Sequence, residues 1–190
     1  MSALGIDSFA LVLLTLSGLF LLATRSRRAL TSILALQAVG VFVLTLQSLS
    51  LNLAAVKLVS GWMAAALLAL QTDVLEQQAL GRVFRVLAGV LLTLTVWSVE
   101  PLAGRFLPGV APVYVLAGLT LFGLGLLQLG FTANPLVLTV GLLTVLTGFD
   151  VIYAALENSL LVAGLLAVVQ LLVALTGSYW SVVETEGEVG

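Results

Sequence analysis

Apolar residues dominate seven long stretches of the chain, and short polar or charged segments separate them. A helix needs about 20 mostly apolar residues to cross a bilayer. The stretches cover residues 9–23, 30–49, 51–70, 83–99, 113–131, 136–156 and 160–180. The pattern therefore predicts an all-α integral membrane protein with about seven transmembrane helices.

The breaks between these stretches have local physical causes. They are a basic turn at 25–28, a polar turn at 48–52, a charged connection at 73–85, a proline-rich loop at 100–112, and polar turns at 134–135 and 157–159. Pro135 suits the first turn of a helix, where its missing N–H is not needed. The last stretch is followed by an acidic tail, 181–190, which we expect to fray.

The placement of basic residues predicts an orientation for the spans. If the turn at 25–28 is cytoplasmic, five arginines lie on that side, whereas Arg105 and Lys57 lie toward the other. This asymmetry satisfies the positive-inside rule, with the N-terminus outside and the C-terminus in the cytoplasm. The N-terminal segment has no positive charge before the first apolar stretch, so we expect that stretch to be a retained span and not a cleaved signal.

Composition supports the membrane assignment and narrows the chemistry. The 190 residues are 61% hydrophobic and 8% charged, with a mean hydropathy of +1.24, against about 45–50% and about 25% in soluble domains. A net charge of −2 without a basic patch argues against nucleic-acid binding. The chain has no Cys and no His, which removes the usual ligands of zinc, haem and iron–sulfur clusters and the common catalytic triads. We therefore predict no cofactor, no metal site and no catalytic residue.

Two segments of the chain read alike and suggest an internal repeat. Residues 14–22 and 119–127 are identical at seven of nine positions. The spans that follow each segment are also separated in a similar way, by a loop and then a short polar turn. We interpret 9–72 and 113–180 as two parallel three-helix units of one membrane domain, joined by a connector helix at 83–99.

Lys57 and Asp150 are the two charges that fall well inside predicted spans. A charge inside the bilayer costs roughly 2.5–3.5 kcal/mol on insertion scales, so such a residue suggests a function. Lys57 is either part of a proton or ion path or a long side chain that carries its ammonium to the interface. Asp150 is too short to do the same, and a functional or paired role is favoured over a carboxylate at the helix end. Both residues come out at similar depths from the outer face, so a pair between them is a hypothesis.

Gln37 is a third candidate, in the middle of the second span. An amide at this depth either makes a hydrogen bond between helices or belongs to a polar path. Gln128 and Gln170 raise the same question with less weight. Gly148, two residues before Asp150, would let another helix approach closely.

The first three spans resemble the small K (4L) subunit of respiratory complex I and its relatives in Mrp antiporters and hydrogenase-4 complexes. In that family a first span ends in a short basic loop, here Arg25-Ser26-Arg27-Arg28, and the second helix carries a polar residue in mid-membrane, here Gln37. Hydrogenase-4 component E is more similar, because it has a Gln in its second helix and a Lys in its third, matching Gln37 and Lys57. The K subunit has a carboxylate where Gln37 falls, so its proton-transfer role does not carry over to this position.

The resemblance implies an accessory subunit in the membrane arm of a proton- or sodium-translocating redox complex, without a redox centre of its own. Its partners would be membrane lipid and antiporter-like subunits, in a bacterial or archaeal inner membrane. A stand-alone small transporter and a purely structural membrane subunit remain as alternatives. A stand-alone enzyme is disfavoured, since no nucleophile–base pair is visible.

Overall fold

Seven α-helices make up the part of the chain that the computed structural model describes, which is residues 3–70, 79–106, 109–157 and 159–187. They are α1 (Ala3–Ala23), α2 (Arg27–Thr45), α3 (Leu51–Ala69), α4 (Ala79–Phe106), α5 (Pro112–Gly130), α6 (Pro135–Leu156) and α7 (Leu160–Gly187). Each contains a segment of 19 to 23 residues that is long and apolar enough to cross a membrane. The predicted fold class is confirmed, and the chain is a multi-pass integral membrane protein.

The start of α6 follows directly from its sequence. Asn134 precedes the helix in extended conformation, and its side-chain oxygen accepts hydrogen bonds from the backbone N–H groups of Leu136 (3.1 Å) and Val137 (3.3 Å). These two donors have no partner inside the helix, so the cap satisfies them. Pro135 occupies the first turn as predicted.

Two predicted boundaries are wrong because helices continue through residues that looked like breaks. The loop predicted at 100–112 is helical as far as Phe106, with Pro101 inside α4. Proline removes one backbone donor, here the partner of the Trp97 carbonyl, and membrane helices tolerate that loss. The acidic tail predicted to fray is helical as far as Gly187, since 181–186 contains neither proline nor glycine.

Three helices also begin at least three residues earlier than predicted. The first starts at Ala3, the second at Arg27 and the fourth at Ala79, because none of the added residues is a proline and a single glycine costs a helix only about 1 kcal/mol. Residues 73–78 of the charged connection predicted at 73–85, including Asp73 and Glu76, lie outside the described residues, and the remainder of that connection is helical as part of α4.

The helices form two rows that face each other. Within one row α2 lies between α1 and α3, and within the other α6 lies between α5 and α7. Across the rows α1 contacts α5, α2 contacts α6 and α3 contacts α7, while α4 packs against α1 and α5 at one end. Helices at equivalent positions of the two proposed units are therefore neighbours; the repeat itself stays a prediction.

Glycines bring the backbones of α5 and α6 into close contact. A methyl group added at Gly148 would lie 2.6 Å from the carbonyl oxygen of Gly118, and one at Gly125 would lie 2.8 Å from that of Gly141. Small residues let helix backbones meet in this way inside a membrane. The role predicted for Gly148 is confirmed, and its close contact with α5 fixes the position of α6 two residues before Asp150.

Apolar clusters lie on both sides of the polar centre of the protein. Leu53 and Ala154 belong to one cluster, near the 46–50 and 157–159 turns, and Ala64 and Leu143 belong to another, farther along the same helices. Lys57 and Asp150 lie between these clusters in sequence on α3 and α6. The charged residues are thus enclosed by apolar side chains above and below.

Candidate ion-path site

Lys57 and Asp150 form a buried ion pair that joins α3 to α6. Lys57 is 8% exposed and Asp150 is 4% exposed. Within the described ranges this is the one ion pair between side chains. Lys57 follows the start of α3 by six residues and Asp150 precedes the end of α6 by six, which places both about 9 Å inside the helix ends. The Lys57 ammonium is directed at the carboxylate and not at the interface.

The pair borders a small cavity between α2, α3, α6 and α7. The cavity has a volume of about 20 Å³. Its polar lining comes from Gln37, Lys57, Thr147, Asp150 and Gln170. Four helices from both rows therefore contribute polar groups to one point inside the membrane-spanning part of the protein.

Gln37 is the least satisfied side chain at this site. It is 1% exposed, and neither its amide nitrogen nor its amide oxygen has a hydrogen-bond partner among the described residues. A buried amide without a partner costs about 1–3 kcal/mol. A cavity needs about 10–15 Å³ to hold a water molecule, so the space beside Gln37 is large enough for one. Such a water would have the amide and the ion pair as polar partners.

Ser60 and Gln170 extend the polar cluster along α3 and α7. The Ser60 hydroxyl oxygen lies 3.2 Å from the side-chain oxygen of Gln170 and 3.1 Å from the backbone oxygen of Lys57. Both side chains are buried. This contact ties α7 to the helix that carries Lys57.

A second small recess connects Lys57 to the nearer helix ends. It has a volume of about 10 Å³, and its polar lining comes from Lys57, Tyr153, Glu157 and Ser159. The Tyr153 hydroxyl donates a hydrogen bond to Glu157 (2.7 Å) at the exposed end of α6. Lys57 thus borders both recesses, and polar groups continue from the ion pair to the surface on the side of the 157–159 turn.

The structure brings all three predicted site residues to this cavity. Sequence reasoning missed Ser60 and Thr147, although spacing gives a signal for both. Ser60 follows Lys57 by three residues and Thr147 precedes Asp150 by three, and residues three apart share a helix face.

Tyr114, near the start of α5, makes a further buried contact between helices. Tyr114 is 7% exposed, and its hydroxyl donates a hydrogen bond to the backbone oxygen of Leu44 (3.0 Å). It joins α5 to the end of α2, because a buried phenol needs a partner and the last carbonyls of a helix are free to accept.

Asp150 supplies the one carboxylate among the residues that line the cavity. No group of three Asp or Glu side chains within the described parts of the chain is placed to hold a metal ion. The polar groups present are one carboxylate, one ammonium, three amides or hydroxyls lining the cavity, and Ser60 beside them. Side chains of these kinds can exchange protons and bind water.

Comparisons with known protein families, with curated proteins and with solved structures find no match for this chain. The architecture rests on the structure itself. Any function of the chain therefore follows from the chemistry of its own site.

Proposed function

We propose that this chain is an accessory membrane subunit of a proton- or sodium-translocating redox complex, and that its ion path depends on the Lys57–Asp150 pair. The single observation that carries the proposal is a buried ion pair beside a cavity with an unpartnered amide. A purely structural contact in lipid does not need charges, since apolar packing of small residues already holds α5 and α6 together.

The energetic argument starts from the cost of burying the two charges. An ion pair of this kind often stabilises a fold no more than apolar residues of similar volume would. A chain that retains Lys57 and Asp150 in this position therefore has a use for groups that gain and lose protons. Intramembrane Asp and Lys side chains are the usual carriers of proton relays.

The polar groups suggest a route on one side of the pair. Glu157, Tyr153 and Ser159 line the recess between Lys57 and the helix ends. Gln37 and Thr147 line the cavity beyond the pair. In this proposal protons exchange between the surface at 157–159 and the ion pair, and water beside Gln37 extends the relay toward the middle of the protein.

The assignment to a larger complex comes from the sequence resemblance to hydrogenase-4 component E. The resemblance pairs a Gln in the second helix with a Lys in the third, and in the structure Gln37 and Lys57 line the same cavity. This shared location supports the proposal, because the two residues of the motif would act together. Antiporter-like subunits would then carry the rest of the ion path.

A stand-alone transporter is the second candidate, and the location of the pair favours it. Lys57 belongs to the first three-helix unit and Asp150 to the second, and transporter sites often lie between such units. The cavity of about 20 Å³ has room for a water or a bare ion and not for an organic substrate. This candidate therefore also transports a proton or a small cation.

One purification and one flux measurement test the proposal. The tagged chain is purified in a mild detergent, co-purifying proteins are identified by mass spectrometry, and the preparation is reconstituted into vesicles with a pH-sensitive dye. We expect antiporter-like subunits to co-purify, and we expect Lys57→Gln and Asp150→Asn to abolish most of the ion translocation of the complex.

Matched variants test whether the loss of translocation is specific to the ion pair or follows the removal of any charge. Arg105→Gln and Glu100→Gln change the same charges on α4, remote from the pair, and should leave translocation intact. A lone chain that conducts ions in vesicles would instead establish the transporter. Full translocation by both pair variants in an assembled complex would refute a role in the ion path.

A further inference from the structure

Arg25 and Arg85 border a common recess at the opposite end of the protein from the 157–159 turn. Arg25 follows α1, and Arg85 lies near the start of α4. The recess has a volume of about 10 Å³, and its polar lining comes from Arg25, Arg85 and Gln128. The remaining side chains that line it are apolar, namely Leu21, Leu22, Phe131 and Val137.

Both arginines are held in place by the protein without a carboxylate. Arg25 donates hydrogen bonds to the Thr132 hydroxyl (3.1 Å) and the Phe131 backbone oxygen (3.4 Å). Arg85 is 7% exposed, and its Nε donates to the Gly81 backbone oxygen (3.1 Å). Neither has an acidic partner in the parts of the chain that the structure describes.

The Arg25 and Arg85 charges act on each other. Burial, and after it the positive charge of Arg85, lowers the pKa of Arg25 below its ordinary value. Two guanidinium groups that share a recess repel, and the repulsion is relieved when an anion lies between them.

Gln128 supplies an independent observation that points to a ligand. Its side chain is 3% exposed, and its amide nitrogen has no hydrogen-bond acceptor among the described residues. The same side chain lines the recess with the two arginines. Two arginine side chains and the Gln128 amide, whose nitrogen has no acceptor among the described residues, thus line one recess that has no carboxylate in its lining.

We infer that Arg25, Arg85 and Gln128 form a binding site for a phosphoryl oxyanion at the membrane surface. Arginine binds phosphate through paired, charge-assisted hydrogen bonds, and the Gln128 amide adds a neutral donor. The recess admits one oxygen atom, so the rest of the phosphate lies outside it at the helix ends. Basic pockets between transmembrane helices commonly hold the headgroups of anionic lipids, and free phosphate has the same chemistry.

This site is separate from the proposed ion path. Arg25 lies just beyond the end of α1, Arg85 lies on α4 and Gln128 lies on α5. The cavity beside Lys57 is instead lined by residues of α2, α3, α6 and α7. The inference therefore does not depend on the proposed function.

Native mass spectrometry of the purified full chain, with any co-purifying subunits, tests the inference. After removal of bound lipid, the protein is titrated with phosphatidylglycerol and, separately, with phosphatidylcholine. We expect phosphatidylglycerol to bind at least about tenfold more tightly, since only it has a net negative headgroup. A second arm adds inorganic phosphate: displacement of the lipid by phosphate shows that the site also accepts the free anion, and a lack of displacement assigns it to the lipid.

Variants on the same side of the membrane distinguish a specific binding site from general electrostatic attraction between the basic surface and the lipid. Arg25→Gln should weaken phosphatidylglycerol binding about tenfold, and Gln128→Leu about fivefold. Arg28→Gln removes the same charge from an exposed position nearby and should change the affinity by less than about twofold. Equal loss in Arg28→Gln and Arg25→Gln, an unchanged affinity in Gln128→Leu, or equal binding of the two lipids would overturn the inference. Arg85 is buried, so the result does not rely on its replacement.

Discussion

The Lys57–Asp150 pair gives the clearest prediction for single residues. Removing one partner of a buried ion pair leaves the other charge uncompensated, which costs about 3–5 kcal/mol, whereas removing both is often close to neutral. We therefore expect Lys57→Gln and Asp150→Asn each to lower the free energy of unfolding, and the double variant to be more stable than either single variant. Unfolding of the purified protein in detergent micelles, followed by circular dichroism, measures the three differences.

The control for this cycle is a charge that makes no ion pair with any residue that the structure describes. Glu100 lies on α4 and is partly exposed, so Glu100→Gln should change the free energy of unfolding by less than about 0.5 kcal/mol. Additive losses in the double variant would show that the two charges do not interact.

Gln37 allows stability and transport to be separated. Its amide has no hydrogen-bond partner among the described residues, so replacing it by an apolar side chain of similar size should not destabilise the fold. We expect Gln37→Leu to keep or raise the melting temperature while ion translocation falls, because a water molecule bound beside the pair would lose its amide partner. Gln47→Leu is the matched control for ion translocation, because it changes an amide in the 46–50 turn that does not line the cavity. Normal translocation in Gln37→Leu would limit Gln37 to packing.

The sequence predicted the residues of the site better than their contacts. Lys57, Asp150 and Gln37 stand out because each is polar within an apolar stretch. Ser60 and Thr147 do not, since hydroxyl side chains are common in membrane helices and usually bond to the backbone one turn earlier. Which hydroxyl faces the cavity depends on how each helix is rotated about its axis, and these stretches are apolar on every side. The buried position of Arg85 was missed for the same reason.

At the scale of elements, the contact between α5 and α6 depends on glycine. A methyl group at Gly148 would lie 2.6 Å from the Gly118 carbonyl oxygen and 3.0 Å from the Phe122 Cα. Both neighbours are backbone atoms, so the helices have to move apart. We expect Gly148→Ala to lower the free energy of unfolding by about 1–3 kcal/mol, measured by unfolding in micelles, and to lower translocation as well, because Asp150 moves with α6.

Gly164 provides the matched control for that substitution. It lies inside α7, and a methyl group there would meet nothing within 4 Å. Alanine is favoured over glycine in a helix by about 0.8–1.0 kcal/mol, so Gly164→Ala should leave stability unchanged or raise it. If both alanine variants had the same effect, close packing at Gly148 would not be the cause.

Helices were easier to predict than their ends. Long apolar stretches placed all seven, since a bilayer requires such lengths. The ends were wrong where a residue that usually breaks a helix sits at a point where the helix continues, as with Pro101 in α4. Asn134 and Pro135 were read correctly because a cap and a first-turn proline act locally, without help from neighbouring helices.

The packing of the two rows of helices against each other explains why the ion pair is enclosed. Two rows of three helices meet face to face, and the pair lies where α2, α3, α6 and α7 surround it. The outermost helix, α4, is different: 6% of its span is buried, against 56% for α6. One face of α4 therefore contacts lipid or another subunit along almost its whole length, which agrees with the proposal of a membrane complex.

Contacts between residues near the helix ends predict which turns lie on the same side of the membrane. Arg25 contacts Thr132, so the 24–26 and 131–134 turns lie together. Leu49 and Ala163 belong to one cluster, so the 46–50 and 157–159 turns lie together at the other end. The chain has no native cysteine, which makes single-cysteine variants at Ser26, Ala133, Ser48 and Ser159 clean reporters.

A membrane-impermeant maleimide added to intact cells should label the variants in which cysteine replaces Ser48 or Ser159. It should label the variants in which cysteine replaces Ser26 or Ala133 only after the membrane is permeabilised. The first part of this expectation, that the turns divide into these two pairs, follows from the structure. The second part, that the pair near the arginines faces the cytoplasm, follows from the excess of Arg on that side. If the cysteines at positions 26 and 133 were the pair labelled in intact cells, the orientation would be the reverse of the one expected, and the arrangement of the helices would still hold. Labelling of Ser26 and Ala133 from different sides would contradict the arrangement of the helices, because Arg25 and Thr132 could not then meet.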